Sequence, residues 1–358
     1  MLYIHSFNHC LIQSLPHSLI EMKIRHYNIP IFIPELACPF QCVYCDQRKI
    51  TGQKHLLEDG EIIQNIEAHL KSFKSDDREV QLAFFGGTFT GLDSAEQEHY
   101  LKLIQPFIQA QSIQGIRIST RPDYINLENL QLLKTYGVTH IELGAQSLVE
   151  EVLQASHRGH SVEDVKRASE LILSEGFILG LQMMIGLPED SPSRSLQTAQ
   201  RIVEFGAHET RIYPTIIIRG TNLAQLWQKG KYQALSTESA VEQSAKLLEY
   251  FEENNVKVLR VGLYPSDELS EQGEAIAGPE MPHFKEKVLA YIWKNKLKKG
   301  LDFSKKEKKV KIAVTPKEYN AAVGFAASNR IYLETYFPKV KFIMNPKLED
   351  RNYEVVYY

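Results

Sequence analysis

The feature that most restricts the fold of this chain is an alternation of short apolar runs with longer stretches of helical period, beginning at Pro30. Apolar runs at 31–36, 80–85, 115–119, 140–144, 178–185 and 209–214 read as strands. Between them, 58–73, 95–110, 127–136, 162–174 and 194–205 repeat apolar residues three and four apart and read as helices. Gly137, Gly176 and Gly206 stand where three of these helices should stop. Strands joined through crossover helices form parallel sheets, buried on both faces. Six units fall short of the eight that close a barrel. The expected fold is therefore α/β: a partial, laterally open (β/α)6 barrel or a strongly curved sheet.

In such sheets the functional loops lie at the carboxyl ends of the strands. The chemically informative residues fall there: Cys38, Cys42 and Cys45 after the first strand, Gly86, Gly87 and Thr88 after the second, Ser119 to Pro122 after the third, Gly144 to Ser147 after the fourth, and Gly186 to Pro188 after the fifth. The cysteines form a Cys-x3-Cys-x2-Cys run holding three of the four cysteines in the chain. Three thiolates on one short loop, with no fourth cysteine nearby, imply a metal site with an open position. Structural zinc takes four closed ligands at paired spacings, whereas three cysteines can carry an iron-sulfur cluster with one iron left free. The spacing favours the cluster over zinc, with a redox disulfide further behind.

At 358 residues the chain suits one large α/β domain plus an appendage. Three parts are expected: a poorly ordered extension at 1–28, a core with its own extension at 29–278, and a basic helix and linker with a small α+β module at 279–358. Met22 is a candidate translation start, and Cys10, upstream of it, receives no role. No run is apolar enough to span a bilayer and no secretory signal is evident, so a cytoplasmic chain is expected. The net charge of −3 is unevenly placed: from Lys285 to Lys311 eleven lysines face three acids, giving +8 there and −11 elsewhere. After 278 a helix at 283–297, strands at 310–314, 340–344 and 353–358, and a helix within 316–336 make up the module.

Taken singly, the remaining candidates are ordinary. Paired glycines make turns, although Gly86 and Gly87 beside the cysteine loop would let a ligand approach the backbone. Gln146 reads equally as a turn amide, Arg158 as a solvated residue near a helix start, and Met183 and Met184 as core.

Together, Cys38, Cys42 and Cys45, the run Phe84 to Phe89, and Gly186 to Pro188 resemble the radical S-adenosylmethionine (SAM) superfamily. Ser119 to Asp123, Gly144 to Ser147, Arg158 to His160, Arg211 to Thr215 and Ile218 to Thr221 are similar to the radical SAM domain of the Elongator catalytic subunit and its shorter bacterial relatives, over about 29–263. The resemblance implies a 4Fe-4S cluster on Cys38, Cys42 and Cys45 whose free iron binds SAM. It implies that Gly86, Gly87 and Thr88 receive the methionyl amine and that Tyr44 packs near the adenine. By similarity to oxygen-independent coproporphyrinogen oxidase, Ser119, Gln146, Arg158 and Gln182 are SAM contacts, with Ser119 and Gln182 replacing acidic residues. It implies reductive cleavage of SAM to a 5′-deoxyadenosyl radical, with a reductant such as flavodoxin or ferredoxin.

The cysteine spacing departs from the wider one of the Elongator subunit. The residues after Gly278 are too few for the acetyltransferase domain that follows there, so no acetyl-CoA-dependent step is expected. The lysine-rich window beside the Elongator-like core points to tRNA as substrate. A small molecule or tetrapyrrole substrate, or a non-catalytic iron-sulfur protein, are the alternatives.

Overall fold

The computed structural model describes residues 25–33, 41–46, 49–50, 58–73, 78–263 and 273–358. Seven strands form one parallel sheet in the order β1 (Arg25–Ile33), β2 (Arg78–Gly86), β3 (Gly115–Thr120), β4 (Val138–Gln146), β5 (Ile178–Ile185), β6 (Glu209–Pro214) and β8 (Lys257–Val261). The six expected strands are present, and the strand-like run at 256–261 joins them as β8, along β6. β1 starts earlier than its apolar stretch because the ladder with β2 runs from Arg25 opposite Arg78. Hydrogen-bond register, unlike hydropathy, is indifferent to the polar Arg25, His26 and Asn28 of this edge strand. Residues 34–40, including Cys38, and residues 1–24, including Cys10 and Met22, lie outside the described residues.

The crossovers contain α1 (Asp59–Ser72), α2 (Ser94–Gln109), α3 (Leu127–Thr135), α4 (Glu150–Ala155), α5 (Val162–Ser174) and α6 (Pro192–Glu204), and α7 (Asn222–Gln228) and α8 (Thr237–Glu253) precede β8. Their ends follow local chemistry. Asn126 and Ser161 close reciprocal capping boxes with Asn129 and Asp164, and Ser191 accepts from the Arg194 amide with Pro192 opening α6; each such cap is worth about 1 kcal/mol. Gly137, Gly176 and Gly206 have φ of 78°, 82° and 77°. They stop the helices where expected, in a conformation a side chain disfavours. The short α4 escaped the sequence pattern: six residues are too few to establish a period.

Side-chain contacts across non-adjacent strands reveal the curl of the sheet. β3 and β6 are three strand spacings apart, about 14 Å in a flat sheet, yet Arg117 Nη1 on β3 lies 2.7 Å from Glu209 Oε2 on β6. The Arg211 guanidinium on β6 sits 5.1 Å from the centre of the Phe85 ring on β2, four spacings away. Only a sheet rolled into a half-barrel brings these together. Its outward residues, among them Leu82, Phe84, Ile118, Ile141, Leu143, Leu179 and Leu181, are buried against the helices. Each fully buried side chain of this kind contributes about 1.5–3 kcal/mol.

β7 (Ile217–Ile218) and β9 (Ala275–Ala277) form a small antiparallel pair. Beyond it, α9 (Phe284–Gly300) straddles two cores: Phe284, Val288 and Ile292 join the main one, Trp293 and Leu297 the second. The second core belongs to a three-stranded sheet in which β10 (Val310–Val314) lies between β11 (Val340–Met344), parallel, and β12 (Tyr353–Tyr357), antiparallel. The helix expected within 316–336 is two pieces, α10 (Tyr319–Val323) and α11 (Ser328–Glu334). Gly324, Ala326 and Ala327 separate them at φ of 89°, 50° and 59°. A Cβ at Gly324 would lie 2.6 Å from the Asn329 backbone nitrogen, and Asn329 is held by its side-chain Nδ2 donating to Ala290 O on α9 at 2.9 Å. Docking on α9 thus overrides the helical pattern. Among the described residues no helix is long and apolar enough to cross a membrane.

Candidate active site

The cysteine loop is packed, not draped, across the carboxyl edge of the sheet. The Val43 amide donates to Ser156 O at 3.1 Å, and Val43 O accepts from the Leu223 amide at 2.7 Å, so α4 and α7 grip the loop from two sides. Cys42, Val43 and Tyr44 share an apolar cluster with Val149, Val152, Met184, Leu187 and Leu223. Of the described cysteines, Cys42 is buried and Cys45 half-buried. Just downstream, Lys49 Nζ donates to Arg219 O at 2.7 Å and pairs with Glu274 at 2.6 Å, tying the loop's far flank to the β7–β9 pair.

Arg158, in the turn between α4 and α5, connects this loop to the sheet. Its Nη1 lies 3.5 Å from Cys42 Sγ and its Nη2 donates to Gly144 O at 2.8 Å. The site depends on a missing side chain: a Cβ on Gly144 would stand 2.9 Å from Arg158 Nη2 and 2.9 Å from Gln146 Nε2. Gln146 has a φ of 64° at a bulge in the β4–β5 ladder, a conformation that costs a non-glycine residue about 1–3 kcal/mol and that clusters at functional sites. That kink presents Gln146 Oε1 to Gln182 Nε2 on β5, 3.0 Å away. Burial first, and the neighbouring Cys42 second, push the Tyr44 phenol well above its ordinary range, which keeps it neutral.

A chain of contacts therefore runs from Cys42 through Arg158 to Gly144, and onward from Gln146 to Gln182. Gly86, Gly87 and Thr88 occupy the same edge at the end of β2, where the Gly87 amide donates to Ile33 O at 2.8 Å. Gly86 has a φ of 101°, open to glycine alone without strain. Ser119, half-buried, lies near the end of β3 opposite Glu142 in register. Gly186 opens the loop after β5 with its amide donating to Asp190 at 2.8 Å, and Tyr232 donates to its carbonyl.

Behind the loop, His160 is buried and its Nε2–H donates to Ala145 O at 3.3 Å. Burial, then the charges of Arg158 and Arg121, hold it down to about 2, so it is neutral.

Sequence reasoning missed the lumen. Arg117 pairs with both Glu209 and Glu142, at 2.7 and 3.4 Å, and Glu142 pairs with Arg211 Nε at 2.5 Å. Arg211 Nη1 also reaches Tyr213 Oη at 3.5 Å. The available signal was the charges themselves: strands buried on both faces read as unbroken apolar runs, so Arg117, Glu142 and Arg211 inside such runs mark a wall facing a polar interior. Burial opposes the charge on Glu209, but the Arg117 hydrogen bond and charge outweigh it and hold the carboxyl below its ordinary value.

Comparison with known proteins agrees with this geometry. Residues 33–202 match the family model of the Radical SAM superfamily, and residues 207–294 that of the Radical_SAM C-terminal domain. The chain is 31% identical over 199 residues to Elongator complex protein 3 of Dictyostelium discoideum, covering 50% of this chain and 36% of that protein. It is 27% identical over 237 residues to tRNA uridine(34) acetyltransferase of Dehalococcoides mccartyi, covering 57% and 52%. The chain thus spans about a third to a half of the length of these relatives. Among solved structures, Elp3 of Methanocaldococcus infernus with an N-terminal deletion superposes with a TM-score of 0.59 at 22% identity, over 78% of this chain and 65% of that one, a likeness of fold. The curled parallel sheet with the cysteine loop at its carboxyl edge is the catalytic domain architecture of the radical SAM superfamily, and this chain carries such a domain, resembling those of Elongator protein 3 and its tRNA-modifying relatives.

Proposed function

We propose that this chain is a radical SAM enzyme that acts on tRNA, with Cys38, Cys42 and Cys45 holding a 4Fe-4S cluster. The observation that carries the reading is the position of Arg158, with one guanidinium nitrogen 3.5 Å from Cys42 Sγ and the other on Gly144 O. A cation so placed can donate to a cluster-ligating sulfur and orient the loop that carries it, and Cys42 and Cys45 are sulfur donors of the kind such a cluster takes.

When bound, a cluster held by Cys38, Cys42 and Cys45 would pass one electron from an external reductant to the sulfonium of SAM, releasing methionine and a 5′-deoxyadenosyl radical able to take a hydrogen atom from substrate. The residues of the chain do the rest. Gln146 and Gln182 would present paired amides to SAM, Gly86 and Gly87 would expose backbone to its methionyl end with Thr88 and Ser119 alongside, and neutral Tyr44 would pack near the adenine. The lumen, with Phe85, Tyr213 and the braced Arg211, forms the wall against which the substrate carbon is held. The part of the proposal concerning tRNA rests on the similarity to tRNA uridine(34) acetyltransferase and on the lysine-rich stretch after residue 284.

Anaerobic reconstitution followed by measurement of iron, sulfide and dithionite-dependent 5′-deoxyadenosine, with and without bulk tRNA, tests both parts. Cluster loading with SAM cleavage stimulated by tRNA is the expected result. A chain that takes up iron and sulfide but never cleaves SAM overturns the enzymatic reading, and cleavage indifferent to tRNA overturns the choice of substrate.

A further inference from the structure

The C-terminal module carries a second feature, on α9 and the elements packed against it. Three lysines of α9, Lys287, Lys294 and Lys298, recur at spacings of seven and four. That spacing puts them on one face of the helix, over a rise of about 16 Å. This face does not look into water alone. Lys294 and Lys298 Nζ lie 4.8 and 5.0 Å from the centre of the Tyr332 ring on α11, and Lys287 lies 5.8 Å from that of Phe325. Tyr332 meets Tyr336 edge-on at 5.3 Å, and Tyr336 meets Phe303 at 5.0 Å. Phe325 is 37% and Tyr336 45% exposed. Two exposed rings thus flank a line of ammonium groups.

The break between α10 and α11 creates this arrangement. A continuous helix would carry Tyr332 and Tyr336 on the path set by residues 316–323; the left-handed residues at Gly324 to Ala327 turn α11 so that Asn329 docks on α9 and Tyr332 comes under the lysines. Two acids face the outer lysine: Glu280, 75% exposed, pairs with Lys287 at 3.1 Å, a pair that solvent weakens, and the charge of Lys287 also acts on the exposed Glu238 of α8. Lys294 and Lys298 are the centre of the row.

We infer that this lysine and aromatic face is a seat for single-stranded RNA, in which Lys294 and Lys298 meet phosphates and Tyr336 and Phe325 stack on bases. Charge complementarity selects the occupant: a row of cations with interleaved open rings is the chemistry that tracks an unpaired nucleic-acid strand, whereas a duplex would hide its bases from the rings. The inference rests on the reading of tRNA as substrate and extends it. It assigns recognition of an unpaired loop to the module and leaves the half-barrel to do the chemistry. The loop lysines have other partners: Lys305 lies 4.7 Å from the Tyr357 ring centre, and Lys309 is joined to Tyr358 through paired backbone bonds at 3.0 Å.

The test is fluorescence anisotropy of the full chain with labelled oligouridylate, oligothymidylate, an RNA duplex and bulk tRNA across a salt series, with circular dichroism confirming the fold of each variant. The Lys294→Gln, Lys298→Gln pair should weaken binding of oligouridylate and tRNA by about tenfold or more and flatten the salt dependence by about 1.4 in log–log slope, two phosphate contacts at about 0.7 each. Tyr336→Ala should weaken binding with the salt slope unchanged, because stacking releases no counterions. Unchanged binding in these variants, equal loss from Lys306→Gln with Lys308→Gln, tighter binding of duplex than of single strands, or absence of any nucleic-acid binding would each overturn the assignment. Preference for oligothymidylate over oligouridylate overturns RNA as the occupant. Because the readout is binding, RNA held by this face in a chain that does not cleave SAM refutes the enzymatic proposal alone.

Discussion

Substituting Glu142 by glutamine isolates the lumen network that rolls the sheet. Its carboxylate accepts from Arg211 Nε at 2.5 Å and faces Arg117 Nη1 at 3.4 Å, and the three side chains are 4%, 10% and 4% exposed respectively. Arg117 retains Glu209 at 2.7 Å, so the loss falls on Arg211, left with Tyr213 Oη at 3.5 Å and the Phe85 ring. Stranding one buried charge costs about 3–5 kcal/mol. At about 2 °C per kcal/mol, the low end appropriate to a large domain, the half-barrel transition should fall by about 6–10 °C. Thermal and urea unfolding followed by far-ultraviolet circular dichroism measure it, with the exposed Glu242→Gln as control. Removing Arg211 as well should restore part of the loss, giving a coupling energy above about 0.5 kcal/mol in the double-mutant cycle. A Glu142→Gln chain melting within about 1 °C of the parent, or strict additivity with Arg211→Gln, would refute the claim that these charges depend on each other.

Other substitutions reach other parts of the argument. Gly144→Ala places a methyl 2.9 Å from Arg158 Nη2 and Gln146 Nε2; SAM affinity by equilibrium dialysis should fall at least tenfold while iron loading of the reconstituted chain stays near that of the parent. Trp293 is fully buried and donates to Glu318 Oε2 at 2.8 Å, so Trp293→Phe should cost about 2–4 kcal/mol through a lost charged hydrogen bond and a void, read as early proteolysis of the C-terminal module. His140 is held down to about 4, by burial first and Arg117 second. Its ordinary value is about 6.5, so the unfolded chain takes up a proton that the folded chain refuses. Stability should decline as pH falls from about 6.5 to about 4, and His140→Gln should remove about one proton from that slope; an unchanged slope would contradict it.

Much of the fold was legible in the sequence because β/α alternation is written in local periodicity. β5, β6, β10, β11 and α5 have the bounds that their apolar patterns imply, and the glycine stops follow from one residue's freedom at positive φ. Where the reading fell short, distant contacts had decided. β1 is lengthened by a ladder to β2, and the helix expected within 316–336 is broken because Asn329 finds α9. Of the candidate site, Cys42, Tyr44, Gln146, Arg158 and Gln182 meet in space, although as isolated letters Gln146 and Arg158 looked like ordinary polar residues. Cys38 lies outside the described residues. The pairing of Arg117, Glu142, Glu209 and Arg211 went unread, although Arg211 opens one of the motifs quoted above, because a charge within a strand does not name its partner.

The amino-acid sequence by itself determined a parallel α/β chain with its chemistry at the carboxyl ends of the strands, since period, caps and loop position are local properties. The count of six units already implied a partial barrel or curved sheet; tertiary structure alone decided which side chains meet across three and four strand spacings inside the curl. It alone decided that Arg158 faces a cysteine more than a hundred residues away, and that lysines of α9 lie over a tyrosine of α11. Those pairings depend on where whole elements dock, and no window of sequence contains both partners.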